Sequence, residues 1–203
     1  MADLLLPDAL WSRDKGDSRL LFVARPTPEV RSALEDLLAR HGILATLGRQ
    51  LFSPENWHQS LSARYVDTPQ VRELLARAGD GLRARAFHIA FERLVTGQKE
   101  PGVFHWDIRP KKPSQDLDRV VEALKDQISR QGLPRVEHGH GAHFTLSYGA
   151  KASLPNPVTV GSVPWAVDAV ELVVGGGSPY RYTTLQRWAL EPAPPPPLQS
   201  NLF

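Results

Sequence analysis

The segments His58-Gln59-Ser60-Leu61 and His143-Phe144-Thr145-Leu146 repeat one pattern at two places in the chain, 85 residues apart. Each has a histidine two residues before a hydroxyl side chain and three residues before a leucine. With 7 histidines in 203 residues, composition alone predicts only ~0.1 chance matches to this pattern. The pair therefore indicates a function that the two segments share.

Both segments have the alternation of a β-strand, on which residues i and i+2 share a face. Each histidine is then expected to face the same way as the hydroxyl residue that follows it. Phe144 and Leu146 would be buried behind the second pair. The alternation is weaker in the first segment, because Gln59 is polar.

Two imidazoles on one phosphate are sufficient for metal-independent hydrolysis of a phosphodiester. A histidine has an unperturbed pKa near 6.5, so one ring can be neutral while the other is protonated. The neutral ring takes a proton from water and the charged ring donates one to the departing ribose oxygen, each worth ~10²–10⁴ in rate. We favour His143 as the base and His58 as the acid, and the symmetry of the motifs leaves the reverse open. Ser60 and Thr145 are expected to bind the non-bridging phosphate oxygens.

Around these segments the sequence predicts an α+β fold in two halves, each with one histidine segment. Residues 1–18 are predicted to be an extension, 19–190 the folded domain, and 191–203 an extended proline-rich tail. Helices are predicted from Thr27 to Gly42, over Pro69–Ala78 and from Pro113 to Gly132; strands are predicted at Arg19–Ala24, at both histidine segments, and over Ala86–Val95, Val103–Arg109, Trp165–Val174 and Tyr180–Leu190.

Composition narrows the chemistry further. The chain has no cysteine, which excludes disulfides, thiolate catalysis and cysteine-ligated metals. The absence of cysteine fits a cytoplasmic protein, and no apolar run approaches the ~20 residues that span a bilayer, so we expect no membrane contact. The net charge of +2 tolerates a polyanionic ligand but is too small for a basic nucleic-acid stripe. We expect a monomer.

These segments together resemble the 2H phosphoesterases, named for two His-x-[Ser/Thr] motifs, and most of all the bacterial RNA 2′,3′-cyclic phosphodiesterase or 2′-5′ RNA ligase family. The resemblance extends to Arg19–Ala24 with Pro28–Arg31, to Pro54–His58 and to Tyr182–Leu190, and covers about residues 19–190. It implies a bilobal, pseudo-symmetric α+β fold. Two antiparallel sheets would form a central cleft with the helices packed outside, and the two histidines would face each other across it.

The resemblance also implies an activity: hydrolysis of 2′,3′-cyclic phosphates at RNA ends or on nucleotides, leaving a 2′-phosphate, without metal or cofactor. The same acid and base could run in reverse and join RNA ends through a 2′-5′ bond. A non-catalytic module that binds a nucleotide or RNA end is the alternative.

Further substrate contacts are expected at Tyr182, which occupies the family's tyrosine position, and at Arg181 and Tyr148. The family often has an arginine shortly after the second motif, where this chain has Ser147-Tyr148. Arg64, Arg109 or Arg181 would have to supply that positive charge, and the sequence does not rank them.

Two other features of the sequence suggest a metal site and a docking peptide. His138 and His140, together with His143, have a spacing that would suit zinc or nickel, although the intervening glycines make the geometry loose. The segment Gln199–Phe203 resembles the short peptide by which bacterial proteins dock on the replication sliding clamp. It could instead cover an apolar patch of its own domain.

Overall fold

The computed structural model describes residues 18–135, 141–155 and 157–192. Predictions that concern residues 1–17, His138, His140 or Gln199–Phe203 therefore lie outside the described residues. No helix within the described ranges is long and apolar enough to cross a membrane.

Strands and helices of the described residues follow one another as an α+β chain. In order they are β1 (Arg19–Ala24), α1 (Pro28–Arg40), α2 (Ile43–Leu47), β2 (Gln59–Ser60), β3 (Tyr65–Val66), α3 (Pro69–Asp80), β4 (Phe87–Glu100), β5 (Val103–Arg109), α4 (Gln115–Arg130), β6 (Phe144–Ala150), β7 (Val158–Val167), β8 (Ala169–Gly176) and β9 (Arg181–Ala189). Short 3-10 turns at Gly48–Gln50 and Pro54–Asn56 precede β2.

The strands form two antiparallel sheets. The first has five strands in the order β2-β1-β8-β9, with β3 also paired to β1, so it combines strands from the first and the last part of the described residues. The second has the order β6-β5-β4-β7 and comes from the middle of the chain. Helix α3 packs on β8 and β9, whereas α1 packs on β7 and α4 on β4. The predicted α+β class, with two sheets and helices outside them, is confirmed.

Local sequence signals explain the helix boundaries. The Thr27 hydroxyl accepts from the Val30 amide and caps α1, as its position before Pro28 predicts. Helix α3 continues through Gly79, beyond its predicted end at Ala78. The reason is tertiary: a Cβ at Gly79 would lie 2.2 Å from the Trp188 ring, so glycine here makes room for an aromatic contact rather than ending the helix.

The predicted strand Trp165–Val174 is wrong. Its first part belongs to β7 in the second sheet and its last part to β8 in the first sheet, and the chain changes sheets at Asp168. The beginning of β7 was missed because Gly161 and Pro164 interrupt its pattern. Proline is tolerated here since β7 is an edge strand, where one N–H can be missing without breaking a ladder.

The side-chain alternation predicted for the two motifs is confirmed. Gln59 and Leu61 are fully buried, and so are Phe144 and Leu146. Each histidine, however, lies one residue before its strand and not within it, since β2 begins at Gln59 and β6 at Phe144. The histidines are therefore held by loops that run into rigid strands.

Candidate active site

Both histidine rings are held in the same way. His58 Nδ1 lies 2.7 Å from the carbonyl oxygen of Asn56, and His143 Nδ1 lies 2.7 Å from that of Gly141. A carbonyl can only accept, so Nδ1 carries the hydrogen in each ring. In the neutral ring the lone pair is then on Nε2, which leaves Nε2 to exchange a proton with a ligand.

The approach to His58 is anchored to the first sheet. A 3-10 turn over Pro54–Asn56 leads into Trp57, which is buried, and then into His58. The Asn56 side-chain amide donates to the carbonyl oxygen of Tyr180 at 2.9 Å, just before β9. The carbonyl that orients His58 therefore belongs to a residue that is itself fixed by a contact 124 residues away in sequence.

The two motifs, far apart in sequence, are in contact in the fold. The fully buried side chain of Gln59 accepts a hydrogen bond from the backbone amide of His143 at 2.8 Å. The imidazole of His143 is also close enough for its charge to lower the pKa of His58. The structure thus brings the predicted histidines into one site.

The surroundings of His58 favour its neutral form. Burial lowers its pKa to about 4, and the positive charges of Arg64, His143 and Arg25 act in the same direction, while the hydrogen bond to Asn56 opposes them. At neutral pH His58 is therefore a proton acceptor. A neutral His58 can accept a proton, whereas the sequence favoured His143 as the base, so the division of roles between the two histidines stays a prediction.

The two hydroxyl residues lie on strands of different sheets. Ser60 is paired with Val23 of β1, and Thr145 is paired with Asp107 of β5. Both are half-buried. The hydroxyl of Thr145 is hydrogen-bonded to that of Tyr148, whose pKa is raised by burial. Tyr148 therefore remains a neutral phenol beside Thr145.

Tyr182 packs directly on the first catalytic candidate. Its ring meets that of His58 edge-on at a centroid distance of 4.6 Å, and Tyr180 packs on Tyr182 at 5.3 Å. Gly175 on the neighbouring strand makes room for both, since a Cβ there would lie 2.2 Å from the Tyr180 hydroxyl. Burial raises the pKa of Tyr182, so the phenol stays protonated.

Of the three arginines considered from the sequence, Arg64 lies at the site. Its charge acts on His58, and it interacts with Tyr148, Tyr180 and Tyr182. It follows β2 on the loop to β3, so it lies on the side of the first motif.

The other two arginines are placed differently. Arg109 donates to the buried carboxylate of Asp107 at 2.6 Å. Arg181 is exposed and precedes Tyr182 on β9, so strand alternation directs it to the opposite face from the tyrosine that contacts His58. The structure does not bring Arg181 together with the rest of the site.

Two polar residues near the site, His105 and Asp107, were not singled out from the sequence. His105, Asp107 and Arg109 alternate with the buried Trp106 and Ile108 along β5, on the same face as Thr145. That alternation of polar and apolar residues can be recognised in the sequence and indicates a polar face on this strand. Gly97 accommodates the His105 ring, because a Cβ there would lie 2.1 Å from it.

Arg25 was also overlooked, and nothing local identifies it. It follows β1 directly and forms an ion pair with Glu171 of β8 at 2.6 Å. Its guanidinium also donates to the hydroxyl of Thr184 on β9. The two partners lie 146 and 159 residues further along the chain.

Among the residues that the structure describes, no group of three histidine, aspartate or glutamate side chains could hold a metal ion. Two members of the suggested metal set, His138 and His140, lie outside those residues.

Solved structures of other proteins that superpose on this chain identify its fold. Escherichia coli LigT complexed with 3′-AMP superposes with a TM-score of 0.69 at 21% identity, covering 86% of this chain and 99% of that chain. The same protein complexed with phosphate gives 0.66 at 23% identity, with 87% and 99% covered. The protein TT0787 of Thermus thermophilus gives 0.65 at 21% identity, with 86% and 98% covered.

The chain therefore has the LigT fold, which is the fold that the resemblance to the 2H phosphoesterases implied. No protein-family model matches the chain, and no curated protein matches it.

Proposed function

We propose that this chain is a 2H phosphoesterase that hydrolyses 2′,3′-cyclic phosphates of RNA ends or nucleotides without a metal. The observation that carries the proposal is the matched anchoring of His58 and His143. Both rings donate from Nδ1 to a carbonyl two residues earlier, and both precede a strand that carries a hydroxyl residue. In both rings Nε2 is left to exchange a proton with a ligand. This arrangement suits a reaction that needs one base and one acid.

The pKa of His58 suggests how the two roles divide. Its neutral ring takes the proton from the attacking water as oxygen bonds to phosphorus. His143 then donates a proton to the ribose oxygen that leaves as the P–O bond breaks. One water is consumed and a phosphomonoester with a ribose hydroxyl is formed. Departure of the 3′ oxygen leaves a 2′-phosphate. If the 5′-hydroxyl of another RNA end attacks in place of water, the same bond breaks and the two ends are joined through a 2′-5′ bond.

Binding of the phosphate follows from the surrounding donors. Ser60 and Thr145 can each donate a hydroxyl hydrogen bond to a non-bridging oxygen, and Arg64 supplies positive charge beside His58. The pKa of Arg64 is lowered by burial, so the guanidinium is poorly hydrated where it lies. A bound anion would replace the solvation it lacks, which favours a phosphate at this position.

A nucleoside can be accommodated next to the phosphate. Tyr148 from β6 and Tyr180 before β9 are 40% and 37% exposed, and Arg64 interacts electrostatically with both. Exposed aromatic rings are suitable for stacking of nucleobases. LigT has been solved with 3′-AMP, and we extend that type of ligand to this chain.

The test is incubation with a panel of 2′,3′-cyclic phosphates in EDTA, with the opened bond identified by ³¹P NMR. The panel should contain mononucleotides and short RNAs with cyclic ends. We expect turnover, a 2′-phosphate product, and loss of at least ~10² in kcat for His58→Ala or His143→Ala.

His41→Ala is the matched control, because the His41 ring also binds a carbonyl, that of Val160 at 2.8 Å, but at the end of α1. It should retain full activity. Full activity of the double variant His58→Ala, His143→Ala would refute the proposal. Tight binding of the cyclic phosphate without turnover would identify a binding module instead.

A further inference from the structure

Gln59, in the first histidine motif, is hydrogen-bonded to the second. It is fully buried, its Oε1 accepts from the backbone amide of His143 at 2.8 Å, and its Nε2 donates to the carbonyl of Ser60 at 2.8 Å. We propose that Gln59 is a positioning residue that sets the distance between the two halves of the site. The inference rests on the proposed hydrolysis, since it concerns the geometry of that reaction.

The residue type at position 59 supports this role. The equivalent position in the second motif is Phe144, which is fully buried and stacks on Phe91 at 4.3 Å. An apolar side chain is therefore what the fold places after the other histidine. A buried amide is costly unless its groups are hydrogen-bonded. Gln59 meets this requirement with backbone groups that belong to the site itself.

The place where Gln59 bonds to the His143 amide also supports a positioning role. Strand β6 begins at Phe144, which pairs with Ile108 of β5. The His143 amide lies just before this ladder, at the point where the chain enters the site. Its partner comes from the other sheet, 84 residues earlier in the sequence. The bond therefore fixes the backbone of His143 relative to β2 rather than to its own strand.

The backbone of His143 in turn determines where its imidazole lies. The His143 ring is tied to the carbonyl of Gly141, so its orientation follows the local backbone. The other end of Gln59 holds Ser60, a proposed phosphate ligand. A shift of the His143 backbone would thus move one imidazole relative to the phosphate. In catalysis a displacement of about 1 Å can cost ~10²-fold in rate.

Replacing Gln59 should therefore lower kcat more than it changes KM. Gln59→Met keeps the approximate size of the side chain but removes the acceptor and the donor. We expect kcat to fall about 10- to 100-fold with KM within about 3-fold of the original value. Gln59→Glu keeps an oxygen that can accept from the His143 amide, and should lose less kcat than Gln59→Met.

Gln50→Met is the matched control. Gln50 also uses Oε1 to accept a backbone amide from a distant segment, that of Lys151 at 3.3 Å, but outside the site. Its kcat should remain within about 2-fold of wild type. Equal losses in the Gln50 and Gln59 variants, or an unchanged kcat in folded Gln59→Met, would overturn the inference.

Hydrogen exchange of the His143 amide gives a readout that does not depend on activity. Exchange should be at least about 10-fold faster in Gln59→Met than in wild type, Gln59→Glu or Gln50→Met. Unchanged exchange would contradict the bond and with it the inference. If exchange behaves as expected but wild type cleaves none of the cyclic phosphates, the proposed function fails while the bond between the motifs stands.

Discussion

The two histidine motifs have the same local geometry and different surroundings. Each ring is anchored through Nδ1 to a carbonyl two residues earlier, at 2.7 Å in both cases. His58, however, is packed against Tyr182 and has a pKa lowered by burial to about 4. The residue directly after each histidine also differs between the motifs. Gln59 connects the two sheets through its hydrogen bond to His143, whereas Phe144 packs in the core. Repeated local structure can thus prepare two rings alike while the tertiary environment lowers the pKa of His58.

The largest expected effect comes from removing either ring. His58→Ala and His143→Ala should each lower kcat by ~10²–10⁴, because each loses one proton-transfer step. The double variant should lose little more than the worse single variant, since the two groups act as a unit. Steady-state hydrolysis of a cyclic mononucleotide in EDTA measures this.

A substrate with an activated leaving group separates the two roles. Nitrophenolate departs without a proton, so a nitrophenyl phosphodiester makes the acid dispensable. We expect this substrate to restore much of the lost rate in His143→Ala and none in His58→Ala. Restoration in the His58 variant alone would return the base to His143.

The next effect concerns the residue after the second histidine. Phe144 lies among Phe91 and Trp165, at centroid distances of 4.3 and 5.2 Å. Phe144→Ala should lower the free energy of unfolding by about 3–5 kcal/mol, through lost burial and a cavity. Phe144→Leu keeps more of the volume and should cost less. Urea unfolding provides the values, and a loss below about 1 kcal/mol for the alanine variant would contradict the packing role.

The lowered pKa of His58 makes stability depend on pH in a defined window. The unfolded histidine titrates near 6.5 and the folded one at about 4, so below pH 6.5 the unfolded chain binds more protons. Stability should therefore be complete above pH 6.5 and fall as the pH drops toward 4, by up to about 3 kcal/mol.

His58→Gln removes this titration and leaves the carboxylates unchanged. The difference in unfolding free energy between pH 7 and pH 4.5 should accordingly be smaller in His58→Gln than in wild type. Urea unfolding at the two pH values measures it. Identical differences in the two proteins would mean that His58 has an ordinary pKa.

The smallest expected effects come from the hydroxyls. Ser60→Ala and Thr145→Val should each lower kcat/KM about 10- to 100-fold, by loss of a hydrogen bond to a charged phosphate. The loss should be larger for Thr145, because its bond to Tyr148 already orients the hydroxyl. Thr145→Ser keeps the hydroxyl and is the control. A valine variant as active as the serine variant would exclude a phosphate contact.

The sequence predicted the parts of the site that depend on local spacing. The pattern of the two motifs gave the faces of Gln59, Leu61, Phe144 and Leu146, because strand alternation is set by the backbone alone. The N-cap at Thr27 was predicted for the same reason, since capping joins residues three apart. The fold class followed from the order of such elements and from the family resemblance, and the LigT comparison confirmed it.

The rest was decided by contacts between segments far apart in sequence. The sequence does not show the burial and the three positive charges that lower the pKa of His58 and bear on which histidine is the base. The polar Gln59 weakens the alternation of the first motif, and only the fold shows its partner, the His143 amide 84 residues away. Arg64 could not be ranked above Arg181, because distances across the fold set electrostatic coupling. Spacing along the chain determines which way a side chain faces, whereas its neighbours, and therefore its pKa, exist only in the folded protein.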